Sequence, residues 1–266
     1  MRRLILAATA LLLQTHAIGA AAQERPFFVT YDHHVEERGD LHVALAATSG
    51  LPKDGDRRYH SPWLEVEYGL TDRWTTELYL EGTTTPHDGS AFTGWRWENR
   101  FRPMKAYHRV NPVFYFEYES LNEASRIQKE IVGSGPLDFA PVGELRHEHA
   151  HELEAKLILS SDVGRWNVAE NFTMEKNLSQ REGVEFGYSA GVSRRAGALT
   201  PGVEVYGGLG STLGTGGEGL RHYIAPVLAW HAAPGTLKVS VAAGLTAPSD
   251  RLLFRVSYSL EFKPGS

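Results

Sequence analysis

From Gly39 onward, apolar and polar side chains alternate over stretches of about ten residues, and clusters of Gly, Pro, Asn, Asp and Ser separate the stretches. Leu64, Val66, Tyr68 and Leu70 share one face against Glu65, Glu67 and Gly69. Trp74, Thr76, Leu78 and Leu80 oppose Thr75, Glu77, Tyr79 and Glu81, and Phe254, Val256, Tyr258, Leu260 and Phe262 oppose Arg255, Ser257, Ser259 and Glu261. A period of two predicts strands. Twelve are predicted, at approximately 40–48, 62–71, 73–83, 91–103, 110–121, 148–161, 164–176, 183–195, 200–211, 219–232, 235–246 and 251–262.

The connections run long, short, long, short. The segment 49–61 precedes the tight turn at Thr71-Asp72, 84–90 precedes 104–109, and the longest connection, 122–147, precedes the turn at Asp162-Val163. An even number of antiparallel strands with short turns at one end and longer loops at the other predicts an all-β fold, an up-and-down transmembrane β-barrel. A soluble sandwich or lipocalin-like barrel also alternates. The aromatic content of the apolar face argues for lipid: Trp74, Trp95, Trp97, Phe101, Phe114, Phe116, Trp166, Phe172, Trp230 and Phe262 all fall on it, many near strand ends where interfacial girdles sit.

Composition sharpens this picture. A net charge of -5 with no basic run argues against a nucleic-acid partner. The absence of Cys excludes a disulfide framework, a thiolate metal site and a cysteine nucleophile. Met1-Arg2-Arg3, the apolar run Leu4 to Leu13 and the small residues Ala20-Ala21-Ala22 have the form of a secretory signal, expected to span 1–22 and to be removed on export. Export without cysteine fits a Gram-negative envelope. The expected organisation is then an N-terminal arm at 23–39, a barrel at 40–262 and a tail at 263–266. The segment Phe27 to Glu37 alternates weakly and reads as a periplasmic arm, a lumenal plug or an extra strand.

On these features the chain resembles Gram-negative outer-membrane β-barrels over essentially the whole mature length. Arg251 to Phe262 looks like the aromatic-ending terminal strand that barrel-assembly machinery recognises, although Lys263-Pro264-Gly265-Ser266 follows it. Glu67-Tyr68-Gly69-Leu70-Thr71-Asp72-Arg73-Trp74 is similar to hairpins in transporter-like barrels of unassigned substrate. The resemblance implies outer-membrane lipid and the assembly machinery as partners and a porin-like channel or small-solute transporter as the activity. A non-conducting barrel whose surface loops bind a partner is the alternative. Fold alone names no activity.

If the aromatic face meets lipid, the lumen is lined by Glu65, Glu67, Glu77, Glu81, Arg96, Glu98, Arg100, Arg102, Glu117, Glu152, Glu154 and Lys156. Acid outnumbers base, and the charges are uneven. The second to sixth strands carry long charged side chains inward, whereas the eighth, ninth and eleventh present Gly, Ser and Ala. Two readings follow: a narrow, mildly cation-favouring channel, or arginines clamped by glutamates in a network that fills the interior.

No cofactor is expected, and an outer-membrane hydrolase ranks behind both the channel and the non-conducting barrel, so the chain is read as no enzyme. His147, His149 and His151, two apart on a strand, project alike and are the candidate metal ligands, but by parity they continue the outward face and read as solvated residues at a loop end. His33-His34, His60 and His87 are lesser candidates. His60 and Ser61 are adjacent, so in an extended strand they point oppositely and cannot pair. Glu170 falls on the lipid face between Val168 and Phe172, where a carboxylate is costly unless it lies near an interface or a bulge shifts the parity.

Overall fold

In hydrocarbon every backbone polar group needs a partner within the protein, so an amphipathic sheet is viable there only when it has no edge. In the computed structural model, which describes residues 26–53, 57–86, 88–129, 131–133, 140–147, 149–180, 183–213 and 219–264, the sheet closes into a twelve-stranded antiparallel barrel. The strands are β1 (Leu41–Leu51), β2 (Tyr59–Thr71), β3 (Trp74–Thr85), β4 (Gly89–Phe101), β5 (Asn111–Asn122) and β6 (His149–Val163). They continue as β7 (Trp166–Asn177), β8 (Val184–Arg194), β9 (Leu199–Ser211), β10 (His222–Ala232), β11 (Gly235–Gly244) and β12 (Leu252–Phe262). Each pairs with its chain neighbours, and β1 pairs with β12 to complete the ring, Leu41 opposite Phe262 and Leu51 opposite Leu252. The signal segment 1–22 and His87 lie outside the described residues.

The fold is the predicted all-β barrel, and the faces fall as the alternation requires. Leu78 is 43% exposed while its neighbour Glu77 is 2% exposed, so one points out and the other in. The outward face carries Trp97, Phe116, Trp166 and Phe254, a density of exposed aromatic rings that a water-facing surface does not carry and a lipid-facing one does. The sole helix among the described residues is α1 (Val142–Leu145), and none is long and apolar enough to cross a membrane.

Two expectations change, and one open alternative closes. The connection expected at 84–90 shortens to 86–88, because Thr84 and Thr85 pair with Ser90 and Gly89 and extend the hairpin. It is thus shorter than 102–110 at the opposite end, and the alternation of loop lengths fails there. The connection 122–147 reads from its length as a surface loop, yet its first part turns inward: Ala124, Ile127, Lys129 and Ile131 are all buried. Finally, no bulge rescues Glu170. The register is unbroken around it, opposite Leu159 on β6 and Ala190 on β8, and its side chain faces outward.

The barrel therefore has a true core. Phe28 and Val29 of the arm, Ile127 and Ile131 of the inserted loop and the wall residues Trp63, Tyr79, Tyr206 and Tyr223 form one buried apolar cluster. Tyr31 joins Val113, Tyr115 and Ile158 in a second.

Candidate functional site

Inward positions on β2 to β6 are charged at almost every second residue, and closure of the barrel brings them within reach of one another. Arg96 sits among three glutamates, 2.5 Å from Glu81, 3.2 Å from Glu117 and 2.9 Å from Glu119. Arg100 contacts Glu67, lies 3.5 Å from Glu77 and has its Nε 2.9 Å from Glu98 Oε1. Lys156 pairs with Glu154 at 3.0 Å. Glu152 is nearer the rim and accepts a hydrogen bond from Asn177 at 3.0 Å. Glu65 accepts one from the Trp63 indole at 3.3 Å, and the Arg102 guanidinium lies over the Tyr107 ring and donates to the Asp72 carbonyl at 3.0 Å. Among the described residues, twelve buried carboxylates face eight buried Arg and Lys side chains.

The opposite wall is small, and chain fills the room it leaves. The arm enters the lumen and leaves it at the short-turn end. Phe27, Val29, Thr30, Tyr31, Asp32 and His33 are all buried. A Cβ at Gly191 on β8 would stand 2.7 Å from the Phe27 ring, so only glycine admits that ring. Residues 26–39 add no strand to the sheet. Side chains hold the arm instead: Glu204 accepts the N–H groups of Phe28, Val29 and Thr30 at 3.2, 3.1 and 2.9 Å. Asn171 accepts from the Tyr31 N–H at 2.6 Å and donates to the Tyr31 carbonyl at 2.8 Å, as a neighbouring strand would. Ser160 accepts the His33 N–H at 2.8 Å, and Thr75 accepts the Glu36 N–H at 2.9 Å.

From the other end, residues 123–129 and 131–133 fold in. Lys129 reaches the charged wall, 2.7 Å from Glu98 and 3.2 Å from Glu117, with its ammonium 3.7 Å from the centre of the Tyr79 ring. Gln128 takes a left-handed backbone, φ 53°, where its carbonyl accepts from Arg255 and its amide donates to Asp250 at 2.7 Å. Gly133 donates to the Phe186 carbonyl at 3.1 Å, and its own carbonyl oxygen lies 2.2 Å from where a Cβ of Gly208 would stand. A cavity of about 20 Å³ between Phe27, Phe28, Trp63, Tyr79, Lys129 and Lys238 is large enough for a water molecule but too small for a solute.

At the short-turn end His33 and His34 face Asp162. Burial opposes the charge on His34, but Asp32 and Asp162 outweigh it and raise the ring to about 10. Burial and the neighbouring His34 push His33 down. Among the described residues, none of His147, His149 and His151 belongs to a group of three ligand-type residues with ligand atoms within 4.8 Å of one another. His151 instead shares a hydrogen bond with the Tyr118 hydroxyl at 2.9 Å on the outer surface. His60 is exposed and bonds Ser49 at 2.9 Å, while Ser61 is buried. The sequence pattern does not single out the anchors Glu204, Asn171 and Ser160, the inserted Lys129 or Tyr31 itself.

No family model matches the sequence, and no curated protein matches it. Solved structures do. A KdgM porin in complex with disordered oligogalacturonate aligns with a TM-score of 0.52 at 9% identity, covering 84% of this chain and 99% of that one. A second KdgM porin structure aligns at 0.50 and 10% identity with the same coverage. The translocator domain of the autotransporter NalP from Neisseria meningitidis aligns at 0.45 and 10% identity, covering 85% and 90%. At these identities the likeness is one of fold: the chain has the architecture of an outer-membrane, porin-like β-barrel.

Proposed function

We propose that this barrel is an outer-membrane passage for small solutes that rests closed, with the arm as its movable plug. The observation that carries the reading is the way the arm is held. Among the described residues, 27–36 join no strand ladder, and their backbone is tethered by the side chains of Glu204, Asn171, Ser160 and Thr75. Each such bond is worth about 0.5–3 kcal/mol net, because water replaces it on release. The arm can therefore leave without breaking the hydrogen bonds that close the barrel.

Carboxylates outnumber cations in the lumen, so an opened passage would favour cations and neutral solutes. That balance argues against an acidic oligosaccharide such as the oligogalacturonate found with the KdgM porin. Outer-membrane lipid is the partner of the aromatic outer face, and β12 is the segment offered to the assembly machinery. Planar-bilayer recording tests the proposal: the full chain should be nearly silent, and a form lacking residues 27–36 should carry ohmic, cation-selective current. Silence in both forms would favour the second reading, a non-conducting scaffold, whose support is the Lys129 bridge between the inserted loop and the charged wall.

A further inference from the structure

We propose that His33, His34 and Asp162 form a site for a zinc ion that clamps the arm to the β6–β7 turn. His33 Nε2 lies 3.7 Å and His34 Nε2 lies 3.4 Å from the same oxygen, Asp162 Oδ2. Both distances exceed the roughly 2.7–2.9 Å of a charge-assisted hydrogen bond. They match the separation of about 3.4 Å between two ligands that each sit roughly 2.0–2.2 Å from a tetrahedral zinc. The ligand atoms of all three residues lie within 4.8 Å of one another.

The far side of each ring is already engaged. His33 Nδ1 meets the Ser160 hydroxyl, the kind of partnership that fixes tautomer and ring orientation in metal-binding histidines, and His34 Nδ1 lies 3.0 Å from Asp32 Oδ1, whose charge holds that ring without an aligned hydrogen bond. The two rings lie 4.3 Å apart with planes 30° from parallel, and both turn Nε2 toward Asp162 Oδ2. The backbone is fixed as well: the His33 N–H donates to Ser160 at 2.8 Å and the His34 N–H to Asp32 at 2.9 Å. The Asp162 side chain is 31% exposed, which leaves an approach from the mouth of the barrel and room for water as fourth ligand. Two imidazoles and one carboxylate suit a borderline first-row divalent ion. Because Asp162 belongs to the wall and both histidines to the arm, the ion would tie the plug down. The site depends on the docked arm and not on whether the barrel conducts.

The test uses the full mature chain, free of any polyhistidine tag and carrying His147→Gln, His149→Gln and His151→Gln so that the loop-end histidines contribute no binding. Titration with zinc against a chromogenic chelator should give one site per chain, and zinc should raise the midpoint of thermal unfolding. Asp162→Asn and His34→Gln should each weaken zinc binding at least tenfold and abolish the thermal shift, while both variants keep the faster gel mobility of an unboiled barrel. No stoichiometric binding in the parent would overturn the proposal and assign the cluster to a proton shared between His34 and Asp162. Binding left intact in either folded variant would overturn it too.

Discussion

The Tyr31 hydroxyl of the arm donates a hydrogen bond of 2.8 Å to Glu98 Oε2 on β4. The same oxygen receives the Lys129 ammonium of the inserted loop at 2.7 Å and the Tyr79 hydroxyl of β3 at 3.1 Å. One carboxylate oxygen thus joins both inserted segments to the wall. Removing any of these donors leaves the other two in place, so the cost falls on the segment that lost its contact.

Tyr31→Phe tests this directly. The phenyl ring keeps its edge-on packing against Tyr115, at 5.1 Å between centroids, and only the donor to a charged acceptor goes. A hydrogen bond of that kind is worth about 1.5–3 kcal/mol. The open probability in planar bilayers should rise about tenfold or more, at roughly 1.4 kcal/mol per factor of ten.

Gly191→Val puts a side chain where the Phe27 ring lies. The arm should loosen and become accessible to protease added to the detergent-solubilised protein, with the barrel still running faster unboiled than boiled. Gly143→Ala, where an added Cβ meets nothing within 4 Å, should change neither property.

Arg100→Leu removes the cation held among Glu67, Glu77 and Glu98. Breaking a buried ion pair by deleting one partner costs about 3–5 kcal/mol, since the remaining charges stay desolvated. The urea midpoint should fall accordingly. Arg100→Lys should recover part of the loss, because it restores the charge without the guanidinium fork.

On the lipid face, Leu78→Arg should impair refolding into vesicles by about 2–4 kcal/mol for a charge near the midplane, whereas Glu77→Gln should assemble almost normally. Equal tolerance of both changes would contradict the assignment of faces.

Strand number and facing were legible because they rest on a local signal. Each of Leu64 to Leu70 or Trp74 to Glu81 declares its face by parity alone. The plug was legible only as one of three readings of Phe27 to Glu37, because the bonds that decide between them join residues far apart in the chain: Phe28 and Glu204 are separated by 176 positions and Tyr31 and Asn171 by 140. Loop length misled for a similar reason. Residues 122–147 are long enough to form a surface loop, and nothing local reveals that Lys129 has Glu98 and Glu117 waiting inside. One indirect signal did exist. Gly187, Gly191 and Gly208 face inward across from the long charged side chains of β2 to β6, and a wall that small needs something to fill the space beside it.

Residue-resolved hydrogen exchange on the full chain in detergent tests the closed lumen most directly, because it reads the arm amides themselves. The N–H groups of Phe28, Val29 and Thr30, bound to Glu204, and of Tyr31, bound to Asn171, should exchange far more slowly than those of a free peptide yet faster than those of mid-strand residues such as Leu228 on β10, because the arm undocks without opening the barrel. Exchange of these four amides at the rate of a free peptide, with the β10 amides still protected, would show an intact barrel with an undocked arm and contradict the account.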